Sequence, residues 1–392
     1  MIIYNKTWLN NLQLHNQFEK DEDTGCLTEA EVKLLKEKYP VGFYMPGIVI
    51  RIGLFILTVI IVTFSVGLVS LFLAEARVID NFGWPLVLGV AGYFLLEYMV
   101  KQNRYYQSGV DEALLWITAG LLTGGFNWML FTIDDKQSYH IPISAFVLVL
   151  SSYLTLRFAD LLMSAIACLS SLALVFFIWN KFGSFGMATM PFIMMIASAA
   201  IYYAAIKLSE IPEAIHYDRC LSIAQILTLI TLYLSGNYYV VQALSTELTG
   251  APPGTPVPFG YIFWACTMLF PFAYLYIGLK NKNLILIRTG LLLIAGAIFT
   301  FRNYYHVLPL EVAFAIGGCA LLAISYAIIK YLKTPKHGFT YTAINRKNLL
   351  DHLNVESLVI GETFANTSNT PAGPESPFGG GNSAGGGSSS AY

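Results

Sequence analysis

Long apolar runs separated by short polar breaks dominate this chain. Ten can be marked: Gly47–Ala74, Trp84–Val100, Ala113–Phe131, Ile141–Leu156, Leu161–Trp179, Gly186–Ile206, Cys220–Leu244, Val257–Leu279, Leu284–Phe301 and Leu308–Ile329. A helix needs about 20 apolar residues to cross a hydrocarbon core of about 30 Å. The pattern therefore predicts an all-α, polytopic transmembrane helix bundle of about ten spans. Residues 1–46 form a polar N-terminal segment, 47–329 the bundle, 330–364 a juxtamembrane segment and 365–392 a Gly/Ser-rich tail.

Ile141–Leu156 is short, and only Arg157-Phe158-Ala159-Asp160 separates it from the next run, so one fused helix is the rival reading. Charge placement decides between them. With ten spans and the N-terminus inside, 17 of the 23 Lys and Arg residues fall in inside segments, four (Arg77, Lys136, Lys181, Arg302) in outside segments, and Arg51 and Arg288 within spans. Cytoplasmic loops are rich in Lys and Arg, whereas fusion inverts every later loop and abolishes the asymmetry. Ten spans with both termini cytoplasmic is the expectation.

Composition agrees. Charged residues make up 12% of the chain and the mean hydropathy is +0.59, about half the charge with which a soluble domain meets water. A net charge of −1 lacks the basic patch that nucleic acid requires, so no nucleic-acid partner is expected and the lipid bilayer is the expected surrounding. Five cysteines (26, 168, 220, 266, 319) avoid the outside loops and show no zinc spacing, which predicts free thiols and no metal site. No cofactor is expected either, because no phosphate-cradling Gly loop, H-E-x-x-H or G-x-S-x-G occurs.

Within the N-terminal segment, Thr28-Glu29-Ala30-Glu31 is a capping-box pattern. It predicts a helix ending at Pro40, with Val32, Leu35 and Tyr39 on one face, lying on the bilayer or on the bundle. Pro191 and Pro271 predict local kinks. Ala197-Ser198-Ala199-Ala200 and Gly317-Gly318 predict close helix approach. Asn345–Leu358 has the length for a short helix, and the tail after Ala365 buries nothing and is expected to be disordered.

Ionisable residues inside spans are the first candidates for chemistry. Arg51 and Glu97 lie near the inner ends of the first two spans, where they would pair or else reach the headgroups, with Glu97 bonding Lys101 one turn on. Arg288 either snorkels inward or neutralises Glu97. At the outer face, Arg302, His306, Glu311 and His140, beside Asp134 and Asp135, supply carboxylates and imidazoles for acid–base work. No nucleophile accompanies them, and solvated loop charge is the plainer account.

The Leu27–Tyr39 helix leading into a long first span resembles the bacterial membrane proteins grouped as domain of unknown function 2157. The stretch from Phe301-Arg302-Asn303-Tyr304-Tyr305-His306 through Leu310-Glu311 to Lys333–Phe339, with the Gly/Ser-rich tail, is similar to multi-span proteins of Bacteroidetes-type bacteria. The resemblance covers the two ends, about a third of the chain, and implies a bacterial cytoplasmic (inner) membrane protein without assigning an activity. The expected function is non-enzymatic, as a membrane scaffold or sensor. Transport of a small or apolar solute is the alternative, and a membrane enzyme acting at the outer face is the second.

Overall fold

A computed structural model describes residues 2–305 except 24, 76–77, 134–138, 251 and 253–254, together with scattered positions between 312 and 330. Twelve α-helices are described: α1 (Lys6–Asp23), α2 (Glu29–Lys38), α3 (Ile48–Phe72), α4 (Gly83–Asn103), α5 (Val110–Ile133), α6 (His140–Phe158), α7 (Leu161–Asn180), α8 (Gly183–Ser209), α9 (Asp218–Gly236), α10 (Tyr238–Thr249), α11 (Gly260–Lys280) and α12 (Leu284–Tyr305). No strand occurs among the described residues. Nine of these segments are long and apolar enough to cross a membrane, and their outward faces carry Ile50, Ile56, Phe64, Val149, Ile196 and Leu269 exposed. Water does not tolerate so continuous an apolar girdle, and the chain is a multi-pass membrane protein. The tenth expected span lies mostly outside the described residues, as do 331–364 and the tail. Val312, Ala315, Leu322 and Tyr326, which are described, are helical.

α6 and α7 are separate antiparallel helices packed along their length, not one fused span. Ala159 turns the chain in the left-handed region (φ 50°). The Asp160 carboxylate then accepts from the Met163 N–H at 2.8 Å, capping α7, and relieves one of the four unpaired N–H groups of a new helix. The polar tetrapeptide between the two runs thus holds a reversal of direction.

The N-terminal segment tests helix parity independently of charge. Ile3 N–H donates to the Arg157 carbonyl (3.0 Å), Tyr44 N–H to the Arg104 carbonyl (3.0 Å), and the Gln13 side chain to the Ile215 carbonyl (3.2 Å). One segment therefore touches the α6–α7, α4–α5 and α8–α9 connections, so all three lie at one end of the bundle. A fused α6–α7 would have sent the last of them to the other end.

Two apolar clusters hold the helices together. Tyr4, Leu9, Leu96, Val100, Leu114, Leu115, Leu154, Phe158 and Met163 join the N-terminal segment to α4–α7. Leu229, Tyr233, Tyr274, Ile285, Leu286 and Leu293 join α9, α11 and α12, and α7 packs on α6, α8 and α9 between them. α4 and α5 approach closely at Gly89 and Gly125, where an added Cβ would meet Leu122 at 2.7 Å and Leu86 at 2.8 Å. Of the small residues expected to allow close approach, Ser198 is fully buried on α8, which packs along α9. Gly317 is outside the described residues, and Gly318 has open space where its Cβ would be.

Two features depart from the sequence reading, the helix at 6–23 and a break within one span. Residues 6–23 form α1, a helix whose mostly polar sequence carries no strong apolar stripe. It pairs with α2, which starts at the expected capping box: Thr28 N–H donates to Glu31 Oε2 at 2.8 Å and Glu31 N–H to Thr28 Oγ1 at 3.4 Å. α8 and α11 hold Pro191 and Pro271 within continuous helices. A helix break falls inside the expected span Cys220–Leu244: α9 ends at Gly236, and Asn237 caps α10 by accepting the Val240 N–H at 3.2 Å.

Candidate site beneath the N-terminal segment

Four parts of the chain converge where the N-terminal segment meets the bundle. The turn before α5 is built on Ser108-Gly109-Val110-Asp111. Asp111 is buried and accepts from Ser108 N–H (2.9 Å), Ser108 Oγ (2.8 Å) and Gln107 N–H (2.9 Å). A carboxylate in the first turn also meets the positive end of the helix dipole. Gly109 has φ +91°, and a Cβ there would lie 2.1 Å from the Arg51 carbonyl oxygen. The α5 turn therefore rests directly on the α3 backbone, which only glycine permits.

That contact brings Arg51 of α3 to Glu112, which it engages through two guanidinium nitrogens. The Nε bond measures 2.9 Å and the second is a short contact between Nη2 and Oε1. The pair is two-thirds or more buried on both sides, and the planar fork of arginine suits bidentate pairing. Asp160 faces the same space from the start of α7. Removal from water pushes its carboxyl up and neighbouring Glu112 pushes it further, against the N–H groups of Met163 and Leu162 and the Trp116 indole. Tyr4, only 8% exposed, closes the site. It stands edge-on to Tyr106 (centroids 4.9 Å apart) and Phe43, and burial raises its hydroxyl well above the usual phenol range.

Between these groups lies a cavity of about 390 Å³. Its charged lining is Arg51, Asp111, Glu112 and Asp160, its aromatic lining Tyr4, Tyr106, Trp116 and Phe158, and Gln107 adds an amide. Arg219 approaches from α9 with Nη1 3.4 Å from Gln107 Oε1 and does not line the cavity. Among the described residues no group of three or more His, Cys, Asp or Glu is arranged to hold a metal ion.

Arg51 therefore pairs with Glu112, not with Glu97. Glu97 accepts from Arg157 (2.9 and 2.6 Å), Lys101 (3.1 Å) and Tyr93 (2.8 Å), so its charge is met from α4 itself and from α6. The one-turn Glu97–Lys101 contact is present. Arg288 sits on α12, which packs on α9 and α11, and it is not among these partners of Glu97. At the other end, His140 is exposed and stacks on Phe177 (4.9 Å), while α12 carries Arg302. α6 packs on α5 and α7, α12 on α9 and α11, and the structure does not bring the two residues into one site. His306, Glu311, Asp134 and Asp135 lie outside the described residues.

Sequence reasoning passed over Tyr4, Tyr106, Asp111, Glu112 and Asp160. The available signal was the Ser-x-x-Asp spacing at 108–111, a helix-start pattern, with a second carboxylate beside it. No family model, curated protein or solved structure matches the chain, and function is argued from the site alone.

Proposed function

We propose that the protein is a membrane sensor in which a small molecule in the cavity beneath the N-terminal segment is read out by that segment. The observation that carries this is the position of Tyr4. It is a buried wall of the cavity, and its neighbour Ile3 is hydrogen-bonded to the turn that presents Asp160. Any change in the cavity is thus transmitted within two residues to the chain that continues into α1. In this reading the end bearing the N-terminal segment faces the cytoplasm, supported by the placement of 17 basic residues against four. The membrane is the bacterial inner membrane, supported by the resemblance of the chain ends.

Hydrogen exchange tests the coupling without knowledge of the ligand. Glu112→Gln should accelerate exchange of the Ile3 amide and of α1 while leaving α11 and α12 unchanged. Unchanged exchange at the N-terminus would contradict a sensor that works through this segment.

Transport is favoured by one feature, the break at Asn237, since transporter sites use discontinuous helices. The break comes after the 19 residues of α9, about 28 Å from that helix's start at 1.5 Å per residue. That is one edge of the hydrocarbon core and not its midplane, so the sensor reading is preferred.

A further inference from the structure

Resting on the cavity beneath the N-terminal segment as a ligand site, we infer that its ligand is a small organic amine in its protonated, N–H-bearing form. Arg51 and Glu112 satisfy each other, so the charges left facing the cavity are the carboxylates of Asp111 and Asp160. Asp111 is already bonded by the turn it caps. Asp160 accepts from the Met163 N–H at 2.8 Å, with the Leu162 N–H and the Trp116 indole also directed at it, and its two oxygens retain lone pairs for a further donor.

Independently, the Tyr4 hydroxyl lines the cavity from a side chain more than nine-tenths buried and makes no hydrogen bond to any described residue. Its oxygen opens to the cavity and has the capacity to accept from a ligand there. An ammonium meets these groups together, donating one N–H to Asp160 and one to the tyrosine oxygen. Its charge would lie beside the Tyr106 and Trp116 rings that line the cavity, aromatic neighbours of the kind that attract cations.

Three alternatives fit less well. An anion would meet two carboxylates without a counter-charge. A metal ion needs converging ligands, which no group of His, Cys, Asp and Glu among the described residues provides. A quaternary ammonium has no N–H for Tyr4. The volume of about 390 Å³ is at the lower end for ligand pockets and suits an amine of a few carbons.

The test uses the full chain in detergent with n-propylammonium chloride as probe. Tetramethylammonium chloride and potassium chloride at the same ionic strength separate the amine from quaternary and inorganic cations. Calorimetric titration should show saturable propylammonium binding, weakened at least tenfold in Asp160→Asn and several-fold in Tyr4→Phe. The asparagine keeps the cap on Met163 and the phenylalanine keeps the packing, so both variants should fold. Should either fail to fold, the other and Trp116→Leu carry the test.

Absence of saturable binding, equal binding of potassium or tetramethylammonium, or binding indifferent to these variants would each overturn the assignment. Failure here with N-terminal exchange still responsive to Glu112→Gln would remove the amine and leave the sensor. Unresponsive exchange with intact amine binding would do the reverse.

Discussion

Replacing Glu112 by Gln removes the counter-charge of Arg51 while nearly preserving shape, and the structure bounds the cost. The Arg51 and Glu112 side chains are 33% and 17% exposed, between the exposed pairs worth about 0–1 kcal/mol and the buried pairs whose disruption costs about 3–5 kcal/mol. Two charges about 4 Å apart at an effective dielectric of about 20 attract by roughly 4 kcal/mol. Desolvation of both groups consumes part of that, and Asp111 and Asp160 remain to hold Arg51 in the variant. The expected loss is about 1–3 kcal/mol. A double-mutant cycle with Arg51→Gln, read by reversible unfolding in mixed micelles, should give a coupling of about 1–2 kcal/mol. The internal control is Lys36–Glu19, which joins α1 to α2 with side chains 38% and 55% exposed. Its coupling should stay below about 0.5 kcal/mol. Equal couplings for the two pairs would show that the site beneath the N-terminal segment is as wet as the surface, and the argument from desolvation would collapse.

Gly109→Ala forces a Cβ against the Arg51 carbonyl at a positive φ and should destabilise by more than about 3 kcal/mol. Gly124→Ala, on the same helix with open space around it, should be neutral or stabilising by up to about 1 kcal/mol; similar melting points for the two variants would refute the α3–α5 contact. Asp160 holds its proton more tightly folded than unfolded, so its ionisation opposes folding. The stabilisation by its protonated form is fully present below the unfolded pKa and is lost as pH rises through the folded one. Stability measured from about pH 4 to neutral should therefore decline in the wild type relative to Asp160→Asn, and parallel curves would contradict the assigned cause. For topology, single cysteines at Lys181 and Ser209 should differ in intact cells, the first labelled by an impermeant thiol reagent and the second spared; labelling at Ser209 would overturn the orientation.

How much of this was legible beforehand follows from the kind of signal each feature leaves. A membrane span announces itself by length and apolarity, so α3 to α9 and α11 to α12 were marked to within a few residues at most boundaries. The α6–α7 reversal was decided by the partition of Lys and Arg over the loops, and the structure supplies its local cause in Ala159 and Asp160. α1 was missed because Lys6–Asp23 buries only Leu9 fully and is held by polar contacts to α2 and to Pro40 and Ile215 that leave no periodic signal. The Gly236-Asn237 pair was given too little weight, although Asn after Gly is a helix-stop and helix-start signal in one. The cavity was least visible. Its parts come from residues 4, 51, 106–116 and 158–165, and only the packing of Gly109 on α3 brings them together. The expected partner of Arg51 was the carboxylate in the adjacent span, whereas the actual one stands beside a turn that rests on the arginine's own backbone.

The central claim is that the N-terminal segment closes the charged cavity at the end of the bundle. A photoactivatable phenylalanine analogue in place of Tyr4 tests it in native membranes, with adducts mapped by mass spectrometry. The account predicts cross-links to peptides containing residues 106–116 and 158–165, the other walls of the cavity. Adducts confined to lipid, or to α11 and α12, would contradict it.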